Sequence, residues 1–104
     1  LPGLLAARCD LEIRRGEIAA ARQHCARAVA QGSSWAAYLA GVIEINSGSK
    51  TTAIARLRKA IELDPDLLQA WTTLAKIFRR SNAIGDLDQV HRDFRAHFHA
   101  ELPL

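Results

Sequence analysis

Methionine is missing from this 104-residue chain, even at its first position. We therefore expect a piece of a longer protein, so the lack of a targeting segment excludes little. No stretch approaches the roughly 20 apolar residues that a membrane-spanning helix requires. No cationic start followed by an apolar core marks a secretory signal. Aromatic residues make up only 6% of the chain, which argues against a core built on large rings. Two cysteines, Cys9 and Cys25, are too few for a disulfide framework and do not form a zinc site. Each falls on an apolar helical face, so small buried thiols are expected. They do not decide a compartment, and the cytoplasm stands as the default.

What is present belongs to a helix former. Hydrophobic residues make up 49% of the chain, which is rich in alanine and arginine. The length fits one domain, spanning 1–104, that buries about two thirds of its unfolded surface. A net charge of +3 is a mild excess, which favours an acidic partner without demanding nucleic acid.

The chain also repeats itself. Shifted by 32, Cys9 meets Gly41, Leu11 meets Ile43, Glu12 meets Glu44 and Gly16 meets Gly48. The same shift lays Ala21 over Ala53, Cys25 over Leu57 and Ala28 over Ala60. A further shift of 34 brings Ala37 onto Trp71, Ala40 onto Leu74 and Gly41 onto Ala75. Each unit reads as two helices: about 4–15 and 17–31, then 34–46 and 50–63, then 66–80 and 86–100. Gly16 and Gly48 suit the left-handed conformation that ends a helix. Ser33 and Ser34 can cap the helix that follows them. Leu63-Asp64-Pro65 stops the fourth helix, with Asp64 expected to cap the fifth and Pro65 at its first position. Trp71, Leu74, Ala75 and Phe78 then form one apolar stripe. In the third unit Gly85 comes 37 residues after Gly48, so three inserted residues are expected: either the helix from Asp66 runs longer or Ser81-Asn82-Ala83-Ile84 forms a wider loop. That insertion puts Val90, Phe94 and His97 in the places of Ala53, Leu57 and Ala60. The last hairpin must then pack less tightly, or its outer helix turns a different face inward.

These residues resemble the tetratricopeptide repeat, a helical hairpin of about 34 residues. Trp71-x2-Leu74-Ala75-x2-Phe78 is similar to the W-x2-L-G-x2-Y of that family. Ala53-x3-Leu57-x2-Ala60-x4-Pro65 is similar to its A-x3-F, small residue and closing proline, and Gly41 and Gly48 match its two glycines. The resemblance implies an all-α fold, a right-handed superhelical array of antiparallel helix hairpins with about six helices. The repeats would be about 2–33, 34–67 and 68–104. A hairpin cannot bury its own apolar face, so neighbours stack and share a core. The last helix, with Phe94 and Phe98 four apart and only Ala100-Glu101-Leu102-Pro103-Leu104 after it, is expected to leave apolar surface open, for a next element of a longer chain or for self-association.

Catalytic chemistry is not specified. Gly48-Ser49-Lys50-Thr51 lacks the spacing of a phosphate loop. His91, His97 and His99 lie six and two residues apart, which scatters them around a helix: surface histidines, one of them partly buried. No convergent set of titratable groups is evident, so a non-enzymatic module without cofactor or metal is expected. The basic residues Arg14, Arg15, Lys76, Arg79, Arg80, Arg92 and Arg95 read mainly as a solvated face, interspersed with Asp86, Asp88 and Asp93.

The resemblance implies that the first helix of each hairpin lines a concave groove for a protein or peptide segment. Read by period, that face presents Trp35, Tyr38, Val42 and Ile45 in the second unit. In the third it presents Gln69, Thr72, Thr73, Lys76 and Arg80. Exposed aromatics beside cationic and hydroxyl groups favour recognition. The binding residues expected are therefore Trp35, Tyr38, Val42, Thr72, Thr73, Lys76 and Arg80, although Trp35 and Tyr38 could equally pack between repeats. Family members that hold chaperone tails use a lysine and asparagine clamp, and Tyr38 and Val42 stand where it would need polar donors. A second reading makes the chain a regulatory or substrate-positioning part of a larger enzyme, such as a glycosyl- or sulfotransferase.

Overall fold

The computed structural model describes residues 2–103. Among them six helices and no strand are found: α1 Pro2–Arg14, α2 Ile18–Ala30, α3 Ser34–Asn46, α4 Lys50–Leu63, α5 Leu68–Arg80 and α6 Ile84–Phe98. The all-α expectation holds. The helices pack in chain order, each against the next, and α1 also touches α3. Leu104, which closes the expected third repeat, lies outside the described residues.

One device ends four of the six helices. Gly16 (φ 77°), Gly32 (φ 92°) and Gly48 (φ 82°) take the left-handed conformation just beyond α1, α2 and α3. The next residue then donates its N–H back five positions: Glu17 to Glu12 at 2.9 Å, Ser33 to Ala28 at 3.0 Å, Ser49 to Glu44 at 2.9 Å. Carbonyls that the helix end would leave unpaired are satisfied this way. Beyond α5 the left-handed position is held by Asn82 (φ 56°), and Ala83 donates to Phe78 at 2.9 Å. Asparagine tolerates this conformation better than other residues with a side chain.

The expected insertion in the third unit is therefore absent. Asn82, 34 residues after Gly48, is the turn residue, and α6 starts 34 residues after α4. Gly85 lies inside α6. Only the buried stripe is displaced: α6 buries Val90 and Phe94, while His97 is exposed. A displacement of three positions on a helix is a rotation of about 60°. The outer helix turns a different face inward, and the backbones of α5 and α6 are less closely packed than those of α3 and α4.

The α4–α5 corner departs from the expected cap. Asp64 Oδ1 accepts the N–H of Asp66 at 3.0 Å, closing a turn around Pro65, and α5 begins two residues later at Leu68. The corner is held from the far side: Trp71 Nε1–H donates to the Pro65 carbonyl at 2.8 Å. Ser33 does cap α3, accepting the N–H of Ala36 at 3.1 Å.

Within the first two hairpins the helices cross where a small residue meets a partner sixteen positions on. In the second hairpin a Cβ placed on Gly41 would lie 2.9 Å from Leu57, so glycine alone admits this approach. In the first, the equivalent residues Cys9 and Cys25 form a disulfide with Cα atoms 5.4 Å apart. This corrects the expectation of free thiols: both lie on the buried face, as expected, but at matching heights on facing helices. The third hairpin fills its seam with rings, Trp71 against Phe94 edge to face at 5.6 Å and Phe94 stacked on Phe98 at 4.3 Å.

The expected open surface on the last helix is also corrected. Phe94 is 3% exposed, Phe98 is half-buried, and Leu102 folds back into the same cluster as Trp71 and Phe94. The reversal is made at His99, in the left-handed conformation, and Arg95 pairs with Glu101 at 2.9 Å. A more exposed apolar pair lies at the other end of the chain. Leu4 and Leu11 of α1 stand open where their repeat equivalents on α3, Ala36 and Ile43, are buried in the cluster shared with α1 and α2.

Candidate functional site

Of the residues expected to bind a partner, those on α3 separate by depth. Trp35 is 37% exposed, and its ring lies 5.0 Å from that of Tyr38. Tyr38 is half-buried and packs against the core clusters on both sides of α3, so it belongs largely to the seam between hairpins. Val42 is half-buried too. On α5, Thr72 and Thr73 are half-buried, and Thr72 Oγ1 donates to the carbonyl of Gln69 at 3.2 Å. Lys76 and Arg80 are exposed. A shift of 34 carries Tyr38 to Thr72 and Val42 to Lys76, so the two helices present equivalent positions, apolar on α3 and polar or cationic on α5.

A cleft of about 180 Å³ opens between the ends of these helices, lined by Ile45, Lys50, Ile77, Arg80 and the turn residues Gly48 and Ser81. Lys50 Nζ donates to Ser81 Oγ at 3.1 Å, which joins the two turns. Arg80 is the one expected residue that lines this cleft; the others lie along the helix faces beside it.

The larger concavities lie elsewhere. One of about 370 Å³ sits over α3 between α2 and α4, with Val29, Ala37, Ala40 and Ile43 among its apolar lining and Arg22, Arg56 and Lys59 around it. Glu44 is the acid there, held by Arg22 at 3.1 Å. A second, of about 260 Å³, sits over α5 between α4 and α6. Its lining includes Trp71, Leu74 and Val90, with Arg58 facing Glu62, Asp86 and Asp93. Sequence reasoning passed over Arg22, Arg56 and Lys59. The signal was the same 34-residue shift that identified the repeats: it lays Ala40 over Leu74, a smaller residue on the open floor of this concavity.

Among the described residues the most buried titratable group belongs to a structural pair. Glu12, 7% exposed, lies with Oε1 2.6 Å from His24 Nδ1 and Oε2 3.9 Å from Arg8 Nε. This pair ties α1 to α2 beside the disulfide, and a buried carboxylate requires such partners. Among the histidines of α6 and its end, His91 is half-buried while His97 and His99 are exposed, as expected. His97 Nε2 lies 2.8 Å from Asp66 Oδ1, linking the end of α6 to the α4–α5 corner. Among the described residues no group of three or more His, Cys, Asp or Glu is placed to hold a metal ion, and no helix is long and apolar enough to cross a membrane. Compared with protein-family models and with curated proteins, the chain matches none.

Proposed function

We propose that this chain is a tetratricopeptide-like interaction module, a right-handed array of three stacked hairpins that docks a protein segment against the first helices of its second and third hairpins. The observation that carries the reading is the pairing of an open indole, Trp35, with the cations Lys76 and Arg80 on repeat-related faces of α3 and α5. Aromatic and guanidinium groups supply a large share of binding energy at protein interfaces, the ring through desolvated area and the cation through directed hydrogen bonds. The segment it takes is extended or helical, with an apolar side chain for Trp35 and Val42 and carboxylates for Lys76 and Arg80. Tyr38 supports Trp35 from beneath, and the Thr72 and Thr73 hydroxyls lie between the apolar and the cationic parts. The module acts by holding its partner, without chemistry of its own.

Selection of binding peptides from a random display library tests this. The selected sequences are expected to be acidic, and the double variant Trp35→Ala, Lys76→Ala is expected to weaken each by about 100-fold, near 3 kcal/mol. Peptides that bind the double variant as tightly as the parent would remove the groove from the reading.

A further inference from the structure

We infer that the outer groove over α3, between α2 and α4, is a second docking site, for an acidic segment of a partner protein that inserts one aromatic side chain. The inference rests on a comparison inside the molecule. The grooves over α3 and over α5 are the same place in successive repeats: Ala26 and Val29 on α2 correspond to Arg58 and Ile61 on α4, Ala37 and Ala40 on α3 to Trp71 and Leu74 on α5, and Arg56 and Lys59 on α4 to Val90 and Asp93 on α6.

At four of those six positions the second groove carries the larger residue by a wide margin or by a methylene. The indole of Trp71 occupies its floor, 6% exposed, packed edge to face on Phe94 and hydrogen-bonded to Pro65. In the first groove the equivalent Ala37 is fully buried, the open floor is formed by Ala40 and Val29, and the space is the wider of the two, about 370 Å³ against 260 Å³. A concave, mostly apolar space of that size with a few polar groups at its edge is of the kind that takes a ligand group. What the chain supplies from within at α5, a partner supplies from outside at α3.

The charges name the chemistry of that partner. Around the first groove stand Arg22, Arg56 and Lys59; its one lining acid, Glu44, is held by Arg22, and Lys59 reaches Glu62 of its own helix at 3.4 Å in an exposed pair that a partner's carboxylate can replace. Around the second, Arg58 faces Glu62, Asp86 and Asp93. An aromatic ring over Ala40 and Val29 with carboxylates on either side meets apolar contact below and guanidinium or ammonium groups at the rim. The same segment meets repulsion and a filled floor at the second groove, so the two discriminate. By the helical period this site lies on the opposite side of α3 from Trp35 and Tyr38, so it stands whether or not the concave face binds anything.

Isothermal titration calorimetry with a blocked nine-residue peptide, one tryptophan centred among glutamates, tests the site on the intact chain. Binding is expected, with NMR shift changes on Ala26, Ala40 and Arg56. Ala40→Leu and Lys59→Asp, each copying the second groove, are expected to weaken it by about tenfold or more, as is alanine for the peptide's tryptophan. Ala26→Glu sets a carboxylate at the mouth from an exposed position, where the change does not disturb packing, and is expected to act likewise by repelling the glutamates. No binding by the parent chain at about 1 mM peptide overturns the inference. Equal binding by the Ala26→Glu chain, or by the peptide without its aromatic ring, overturns it as well.

Discussion

The first and second hairpins bring residues sixteen apart to the same crossing and join them by different means. Cys9 and Cys25 are linked covalently, whereas Gly41 lets Leu57 approach and the join is one of shape. A cross-link acts chiefly on the unfolded chain, which it deprives of conformations. A fitted side chain acts on the folded state, through apolar area removed from water and close contact. The same fold position thus draws its stability from opposite sides of the folding equilibrium. That difference decides how each hairpin responds to change.

The largest effect is expected where shape does the joining. Leu57→Ala removes a fully buried side chain from a seam that glycine cannot refill, and urea unfolding should show a loss of about 3 to 4 kcal/mol. Reducing the disulfide comes next. For a loop of this size the loss is about 3 kcal/mol, read as a lower melting temperature in the presence of a thiol reductant. The double variant Cys9→Gly, Cys25→Leu gives the first hairpin the seam of the second. It should be more stable than Cys9→Ala, Cys25→Ala and unaffected by reductant; a stability no better than the alanine pair would show that the two seams are not interchangeable. Gly41→Ala is smaller. The added methyl displaces Leu57, while the helix itself gains by losing a glycine, for a net loss of about 1 to 2 kcal/mol.

The smallest contrast is between the helix starts. Ser33 caps α3 through its hydroxyl, whereas Ser49 before α4 makes no side-chain hydrogen bond to the helix. Ser33→Ala should cost about 1 kcal/mol and Ser49→Ala less than about 0.5, by equilibrium denaturation of the two variants.

Much of the fold was legible because it is set locally. Gly16 and Gly48 marked two turns, since few residues other than glycine accept the left-handed conformation. The stripe of Trp71, Leu74, Ala75 and Phe78 announced a buried face by its period alone, and all four are buried. Where the readings failed, a residue had stood in for the usual one or the determinant was distant. Asn82 does the work of a glycine, and Gly85 nearby drew the turn three residues too far. Asp64 has the side chain of a helix cap, but its nearest free N–H is that of Asp66. Cys9 and Cys25 were correctly placed on buried faces; their pairing depends on two helices meeting at one height, which no single-helix pattern contains. Leu102 covers Phe94 and Phe98 only because the chain reverses at His99. The candidate binding residues were legible as a list of exposed and half-exposed positions. The split between Trp35 and Tyr38, and the open floor at Ala40 and Val29, depend on what the neighbouring hairpins bring to them.

The hydrogen bond from Trp71 to Pro65 has a spectroscopic consequence. Its indole sits in a dry, fixed setting at the α4–α5 corner, while that of Trp35, the only other one in the chain, meets solvent beside Tyr38. Under ultraviolet excitation the chain therefore emits from two environments, a blue component from the corner and a redder one from α3. Loosening of the corner reddens the first alone, and occupation of the α3 face alters the second alone. The protein carries a separate optical gauge for each half of its architecture.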